Sequence, residues 1–170
     1  AIKLKSNYLE ALNNLGITLL KLGQLDEAIF ILKKTVYLNC KYPEANNNLG
    51  NAYTTLGEWD TAEIYYRQAI AIDPSNAKAH EHLGFILMGK NQYYEGWKEY
   101  EWRHKIKKEG KFIPTNIPVW EGDFSQDNEL ILIHEQGMGD TLQFIRYAIP
   151  LRERYSGKIS VCLPKKLEHL

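Results

Sequence analysis

Five residues in one short run are of types that can do chemistry: Glu135, Gln136, Gly137, Gly139 and Asp140, inside ELILIHEQGMGDTLQFIRY from Glu129 to Tyr147. Gly137 and Gly139 can take backbone angles closed to other residues and let a ligand approach the main chain. Asp140 stands where a helix should begin, and two roles are open to a carboxylate there. It can accept hydrogen bonds from the bare N–H groups of the first helical turn, or it can take a proton from a substrate hydroxyl. Glu135, Gln136 and Arg146 could touch substrate or one another. His134 is read as a hydrogen-bonded structural histidine.

The elements that must position this loop are signalled locally. Leu130 to Ile133 is an unbroken apolar run and predicts a strand buried on both faces, as in the middle of a parallel sheet. Asp140-Thr141-Leu142-Gln143 has the spacing of an N-cap with Gln at the third helical position. The helix that follows carries Leu142, Ile145, Ala148 and Ile149 on one face, with a kink or fresh start forced by Pro150 and an end near Tyr155. Ser156-Gly157 turns the chain, and Ile159, Val161 and Leu163 form a second strand. The expected product is one parallel, right-handed βαβ unit, with any ligand at the strand's C-terminal end, where helix N–H groups point. A dinucleotide fingerprint needs glycine in place of Leu142 and an acid in place of Pro164-Lys165-Lys166, and a triphosphate loop needs Gly-Lys-Ser/Thr; neither pattern is met.

Upstream the chain repeats itself. Leu15-Gly16, Leu49-Gly50 and Leu83-Gly84 recur every 34 residues, Ala28, Ala62 and Gly96 keep the same step, and so do Leu19, Tyr53 and Leu87. That period with those small residues is the signature of tetratricopeptide repeats, each a helical hairpin whose helices come closest at the small positions. Repeats are expected at 9–42, 43–76 and 77–108. AIKLKSNYLEALNNLG at the start aligns without gaps on AIAIDPSNAKAHEHLG at Ala69 to Gly84, which places the end of a truncated repeat at 1–8. A half-repeat exposes an apolar face, so Ala1 to Lys5 is expected to fray or to pack on another molecule, and the cut ends offer a route to self-association.

Tetratricopeptide arrays bind peptides or protein tails along the concave face lined by the first helix of each hairpin. Here that face carries Asn14 and Asn48 at one repeat position, His82 at the same position in the third repeat, and Asn13, Asn47 and Asn51 nearby. An amide both donates and accepts, so an asparagine ladder can hold an extended backbone whatever its sequence. The same residues also suit an exposed polar helix surface with no ligand. The ANNNLGNAY run resembles the repeats of the O-linked N-acetylglucosamine transferases, whose inner surface carries such asparagines; His82 departs from that pattern.

The last repeat helix, YYEGWKEYEWRHKIKK, is apolar on more than one side, with Tyr93, Trp97, Tyr100 and His104 on one stripe and Tyr94, Trp102 and Ile106 off it. Residues 109–129 read as an extended linker in which Pro114 and Pro118 add stiffness and Trp120 serves as an anchor. Trp120-Glu121-Gly122, LILIHEQGMGDTLQFIRYAIPL and KISVCLPKKLEHL together resemble the sheet domain attached to tetratricopeptide arrays in many bacterial proteins. That domain is similar to the N-terminal half of heptosyltransferase-like, two-Rossmann-domain glycosyltransferases. The resemblance implies that 130–170 begins such a domain, that Asp140 is the base activating an acceptor hydroxyl, and that a nucleotide sugar is the donor in a longer parent protein. No other cofactor is implied, and this chain alone is expected to be inactive. The rival expectation is a non-enzymatic interaction scaffold. The overall fold class is therefore mostly α: a solenoid of about three hairpins followed by a partial α/β, Rossmann-like unit.

Composition narrows the partners. Twenty-one Lys and Arg balance 21 Asp and Glu, so no net field draws nucleic acid or an anionic membrane. Cys40 and Cys162 are too few for a disulfide framework or thiolate metal site, no metal site is expected, and a reducing, cytoplasmic setting fits. No apolar run reaches the length of a membrane span.

Overall fold

The computed structural model describes residues 2–106, with side chains from Tyr8 onward, and then 118, 120, 122–125, 128–134, 141, 143 and 145–163. It divides into two compact units, Ala1–Lys107 and Lys108–Leu170.

The first unit is helical. Helices α1 (Ile2–Lys21), α2 (Leu25–Leu38), α3 (Pro43–Leu56), α4 (Trp59–Ile72), α5 (Ala77–Gly89) and α6 (Tyr93–Tyr100) follow one another as three hairpins. Each helix packs on the next, and the first helices α1, α3 and α5 also touch in succession. The turn inside each hairpin is the same turn three times. Gly23, Gly57 and Asn91 take left-handed backbone at φ 75°, 80° and 62°. The next amide reaches back over the helix end, Gln24 to Leu19 O, Glu58 to Tyr53 O and Gln92 to Leu87 O at 3.0, 2.9 and 2.9 Å. This closes a Schellman motif and satisfies carbonyls that the helix end would otherwise leave bare. Asparagine is the residue next best suited to that conformation after glycine, which is why the third turn survives the exchange.

The core is a stripe between hairpins: Leu32, Leu49, Tyr53, Ala62, Tyr66, Leu83, Ile86 and Leu87, with Ile29, Val36 and Ile70 against it. Burying each large aliphatic member contributes roughly 1.5–3 kcal/mol. Small residues let the paired helices close on this stripe. A Cβ on Gly16 would lie 2.7 Å from Leu32, and one on Gly50 would lie 2.5 Å from the Tyr66 ring.

Two departures from the sequence expectation are informative. First, α1 runs unbroken from Ile2 to Lys21, across residue 8, where a repeat boundary was expected. At the aligned place, where the second repeat ends, the helix stops because Pro74 lacks a donor, the Ser75 amide donates to Asp73 at 2.9 Å and the Ala79 amide to Asn76 at 3.1 Å. Lys5-Ser6-Asn7-Tyr8 has no proline and no aspartate, so nothing stops the helix. Second, α6 is α-helical only to Tyr100 and tightens into a 3₁₀ helix over Glu101–Lys105. Of its predicted second apolar side, Tyr94 is exposed, and Trp102 lies flat on His80 with ring centres 3.9 Å apart. His80 is further held by Glu99 and by the Pro74 carbonyl, which makes it a packing residue.

In the second unit, β1 (Leu130–Ile133) and β2 (Ile159–Cys162) pair in parallel, Leu130 opposite Ile159 and Ile133 opposite Cys162. Helix α7 (Ala148–Arg154) lies between them in sequence. It starts afresh two residues before Pro150, so the proline sits in the first turn, where no donor is needed. Tyr155 Oη donates to Asn128 O at 2.7 Å and ties the end of α7 to the entry of β1. Trp120 packs edge-on against Phe124 and Tyr155, and its Nε1 donates to Asp123 O at 3.0 Å. The expected burial of β1 on both faces is not met. Leu130 is buried, but Ile131 is 40% exposed, because among the described residues β1 has a single strand neighbour. The parallel pair is observed; among the described residues the expected partial Rossmann-like unit is not shown beyond it.

Candidate peptide-binding face

The six polar residues predicted for the concave face all lie on first helices of hairpins, Asn13 and Asn14 on α1, Asn47, Asn48 and Asn51 on α3, and His82 on α5. They do not form a simple row of free amides. Asn48 Nδ2 donates to Asn13 Oδ1 at 2.9 Å, and His82 Nδ1 meets Asn47 Oδ1 at 3.1 Å. Both bonds span 35 residues, so each links the same two positions of adjacent repeats. Asn13 and Asn47, the acceptors, are buried at 5% and 6% exposure; Asn48 and His82 are intermediate, and Asn14 is exposed.

Chemistry fixes the histidine's tautomer. An amide oxygen only accepts, so Nδ1 of His82 carries the proton and Nε2 presents its lone pair. Burial pushes the His82 pKa below its ordinary value, Lys78 acting the same way and Glu81 opposing. The neutral ring is the form this environment favours.

Asn51 is oriented from inside the hairpin. Tyr66 Oη donates to Asn51 Oδ1 at 2.8 Å and stands 2.9 Å from Thr54 Oγ1. Burial raises the Tyr66 pKa to about 12. Sequence reasoning missed this relay. It also missed Phe85, which stands half-exposed on α5 where α3 carries Asn51, one 34-residue step earlier.

The other predicted site falls elsewhere. Glu135, Gln136, Gly137, Gly139 and Asp140 lie outside the described residues. Beside them, His134 continues the β1 ladder, its amide 3.4 Å and its Nδ1 3.2 Å from Cys162 O. Among the described residues no group of three or more His, Cys, Asp or Glu could hold a metal ion. No described helix is long and apolar enough to cross a membrane.

Comparison with known proteins bears on the helical unit. Family models described as tetratricopeptide repeat match residues 43–76 and residues 1–30. No curated protein matches the chain. Among solved structures, MamA is similar at 29% identity and a TM-score of 0.53 over 57% of this chain; the chain spans 57% of the length of MamA. The first TPR of Spaghetti (RPAP3), bound to the HSP90 peptide SRMEEVD, is similar at 27% identity and a TM-score of 0.55, over 57% of this chain and 77% of that one. The type III secretion translocator chaperone SycD of Yersinia enterocolitica shares the fold at 19% identity and a TM-score of 0.55, over 59% and 69%. The 34-residue step of the sequence, the hairpin geometry and the family match agree, and the helical unit is built of tetratricopeptide repeats.

Proposed function

We propose that the repeat unit is a peptide-binding module, and that an extended segment of a partner protein crosses α1, α3 and α5 with its backbone held at Asn14, Asn48 and His82. The pair of inter-repeat bonds carries this reading. Asn48 uses one amide hydrogen on Asn13, and the group still has a second hydrogen and a carbonyl oxygen. His82 uses Nδ1 on Asn47 and keeps Nε2 as an acceptor. Two side chains fixed by a neighbouring helix lose less rotamer freedom when a peptide binds, which favours affinity. The peptide bound to the first TPR of Spaghetti supports the class of ligand. Anisotropy titration of labelled peptides, SRMEEVD among them, tests the proposal. The double variant Asn48→Ala/His82→Ala should weaken binding ~10-fold or more, as expected for loss of about two hydrogen bonds. Tyr37→Ala, at a site 89% exposed on α2, should leave it unchanged. Equal binding by both variants would remove the ladder from the account.

For the second unit we propose, on its resemblance to heptosyltransferase-like domains, that it opens the acceptor side of a glycosyltransferase cleft in a longer protein. Asp140 then serves as base, with Glu135, Gln136, Gly137 and Gly139 lining the site and a nucleotide sugar as donor. The parallel β1–β2 pair supports this reading, since such a pair is expected of that domain and β1 runs in sequence into that loop. The scaffold reading draws support from the exposed face of β1. Turnover of nucleotide sugars by the protein extended beyond Leu170, with and without Asp140→Ala, separates them: loss of turnover in the variant supports the base, and unchanged turnover removes it.

A further inference from the structure

Each hairpin holds a matched pair of positions. Facing Gly16, Gly50 and Gly84 of the first helices, the second helices carry Leu32, Tyr66 and Tyr100 in turn. One residue past each of those glycines stand Ile17, Asn51 and Phe85. The pair is aliphatic in the first hairpin and ring against ring in the third, where Phe85 and Tyr100 have centres 4.8 Å apart. Of the three, the second hairpin alone pairs a hydroxyl with an amide.

That pair is directional. Tyr66 is 1% exposed and has one hydroxyl hydrogen, which it donates to Asn51 Oδ1 at 2.8 Å. The 2.9 Å contact between Tyr66 Oη and Thr54 Oγ1 then has Thr54 as its donor. With Oδ1 engaged, the group Asn51 has left for a partner is Nδ2, which carries two hydrogens and can only donate. Among the described residues no buried side-chain nitrogen or oxygen lacks a partner, so Nδ2, which meets no acceptor among them, reaches the surface. Asn48 stands three residues earlier on α3, where side chains on a helix surface are neighbours. The Tyr66 ring backs the ladder as well, 5.5 Å from the ring of His82 and tilted to it by 45°.

We propose that Tyr66 is a positioning residue of the peptide site: from inside the second hairpin it turns Asn51 so that Nδ2 donates to a backbone carbonyl of the bound segment. This role rests on the reading of the repeat unit as a peptide-binding module. It adds a donor on α3 to complement His82 Nε2, the acceptor on α5. An extended backbone offers a carbonyl and an N–H at each residue other than proline, so one strand can satisfy both.

The probe is a fluorescein-labelled heptapeptide selected on the full chain from a random library and titrated by anisotropy. Asn48→Ala/His82→Ala first establishes that it sits on the ladder. A peptide blind to that double change, or a chain that selects none, overturns the peptide-binding reading and this role with it. With a ladder-dependent peptide, Asn51→Asp leaves Tyr66 an oxygen to donate to but turns the outward N–H group into an oxygen. Affinity should fall ~10-fold or more, through a lost hydrogen bond and two acceptors set against each other. Tyr66→Phe keeps the ring and frees the amide, and should weaken binding about 3-fold, the effect of one more side chain to order on binding. In an Asn51→Ala background Tyr66→Phe should cost no further affinity, whereas a purely structural tyrosine would weaken both backgrounds alike. Gly57→Ala, which disturbs the turn of the same hairpin, should bind as wild type does. Three results overturn the proposal while the peptide-binding reading stands: Asn51→Asp binding as tightly as wild type, a Tyr66→Phe loss undiminished in the Asn51→Ala background, or a Gly57→Ala loss equal to that of Tyr66→Phe.

Discussion

Gly84 of α5 lies against Gly96 of α6 so closely that a Cβ on Gly84 would stand 2.8 Å from the Gly96 carbonyl oxygen and 2.7 Å from the Tyr100 amide nitrogen. At Gly16 the same added atom would meet the Leu32 side chain, which can turn aside; at Gly84 it meets backbone, which cannot. Gly84→Ala should therefore destabilise the unit by about 1–3 kcal/mol, the usual range for overpacking, and by more than Gly16→Ala does. Gly57→Ala acts through a different cause, the left-handed backbone at φ 80°, and should cost about 1–2 kcal/mol. Urea unfolding followed by circular dichroism reads all three.

Asn13 and Asn48 should be energetically coupled. Each single alanine variant breaks the 2.9 Å bond, so the double variant loses less than the sum. A double-mutant cycle on unfolding free energy should give a coupling of about 0.5–1.5 kcal/mol. A coupling near zero would mean that the bond does not join the repeats in solution.

His82 gives the helical unit a pH dependence of known sign. Its folded pKa lies below the ordinary value because burial disfavours the charged ring. The folded state thus binds this proton less readily than the unfolded state does. The contribution is complete above the unfolded pKa of about 6.5 and is lost as pH falls below it toward the folded pKa. His82→Asn keeps a donor for Asn47 and removes the titration, so its melting temperature should fall less than that of wild type on going from neutral to mildly acidic solution. Parallel falls would assign the pH dependence to other groups.

Tyr66 sits 1% exposed between Thr54 and Asn51. Tyr66→Phe keeps the ring against Gly50 and removes the hydroxyl, at an expected cost of about 1–2 kcal/mol from the lost bonds. In an alkaline ultraviolet titration of the wild-type chain, one tyrosine should ionise near pH 12, and Tyr66→Phe should delete that step.

The helical unit was legible because a 34-residue period repeats both the small residues at helix contacts and the glycines at hairpin turns; Gly23, Gly57 and Asn91 mark one turn three times. The placement of the candidate residues was legible for the same reason, since repeat register puts Asn14, Asn48 and His82 on first helices. How those residues are used was not. The bonds from Asn48 to Asn13 and from His82 to Asn47 depend on the angle between adjacent hairpins, which periodicity does not encode. The continuous α1 was hidden by an alignment that scored Lys5-Ser6 against Asp73-Pro74 as equivalent, although only the second pair stops a helix. The apolar run of β1 predicted burial on both faces, yet burial depends on neighbours that a four-residue strand cannot specify.

The central claim is that the first helices of the hairpins hold an extended peptide through a preorganised amide ladder. Side-chain amide, imidazole, aromatic and methyl NMR signals, followed as a bound peptide is titrated in, test it most directly. The account predicts that Asn14, Asn48 and His82 shift together with one affinity, while the outward-facing α2 and α4 residues Tyr37 and Ile64 stay still. Shifts confined to those outer residues, or a ladder that stays silent while a peptide saturates the chain, would contradict it.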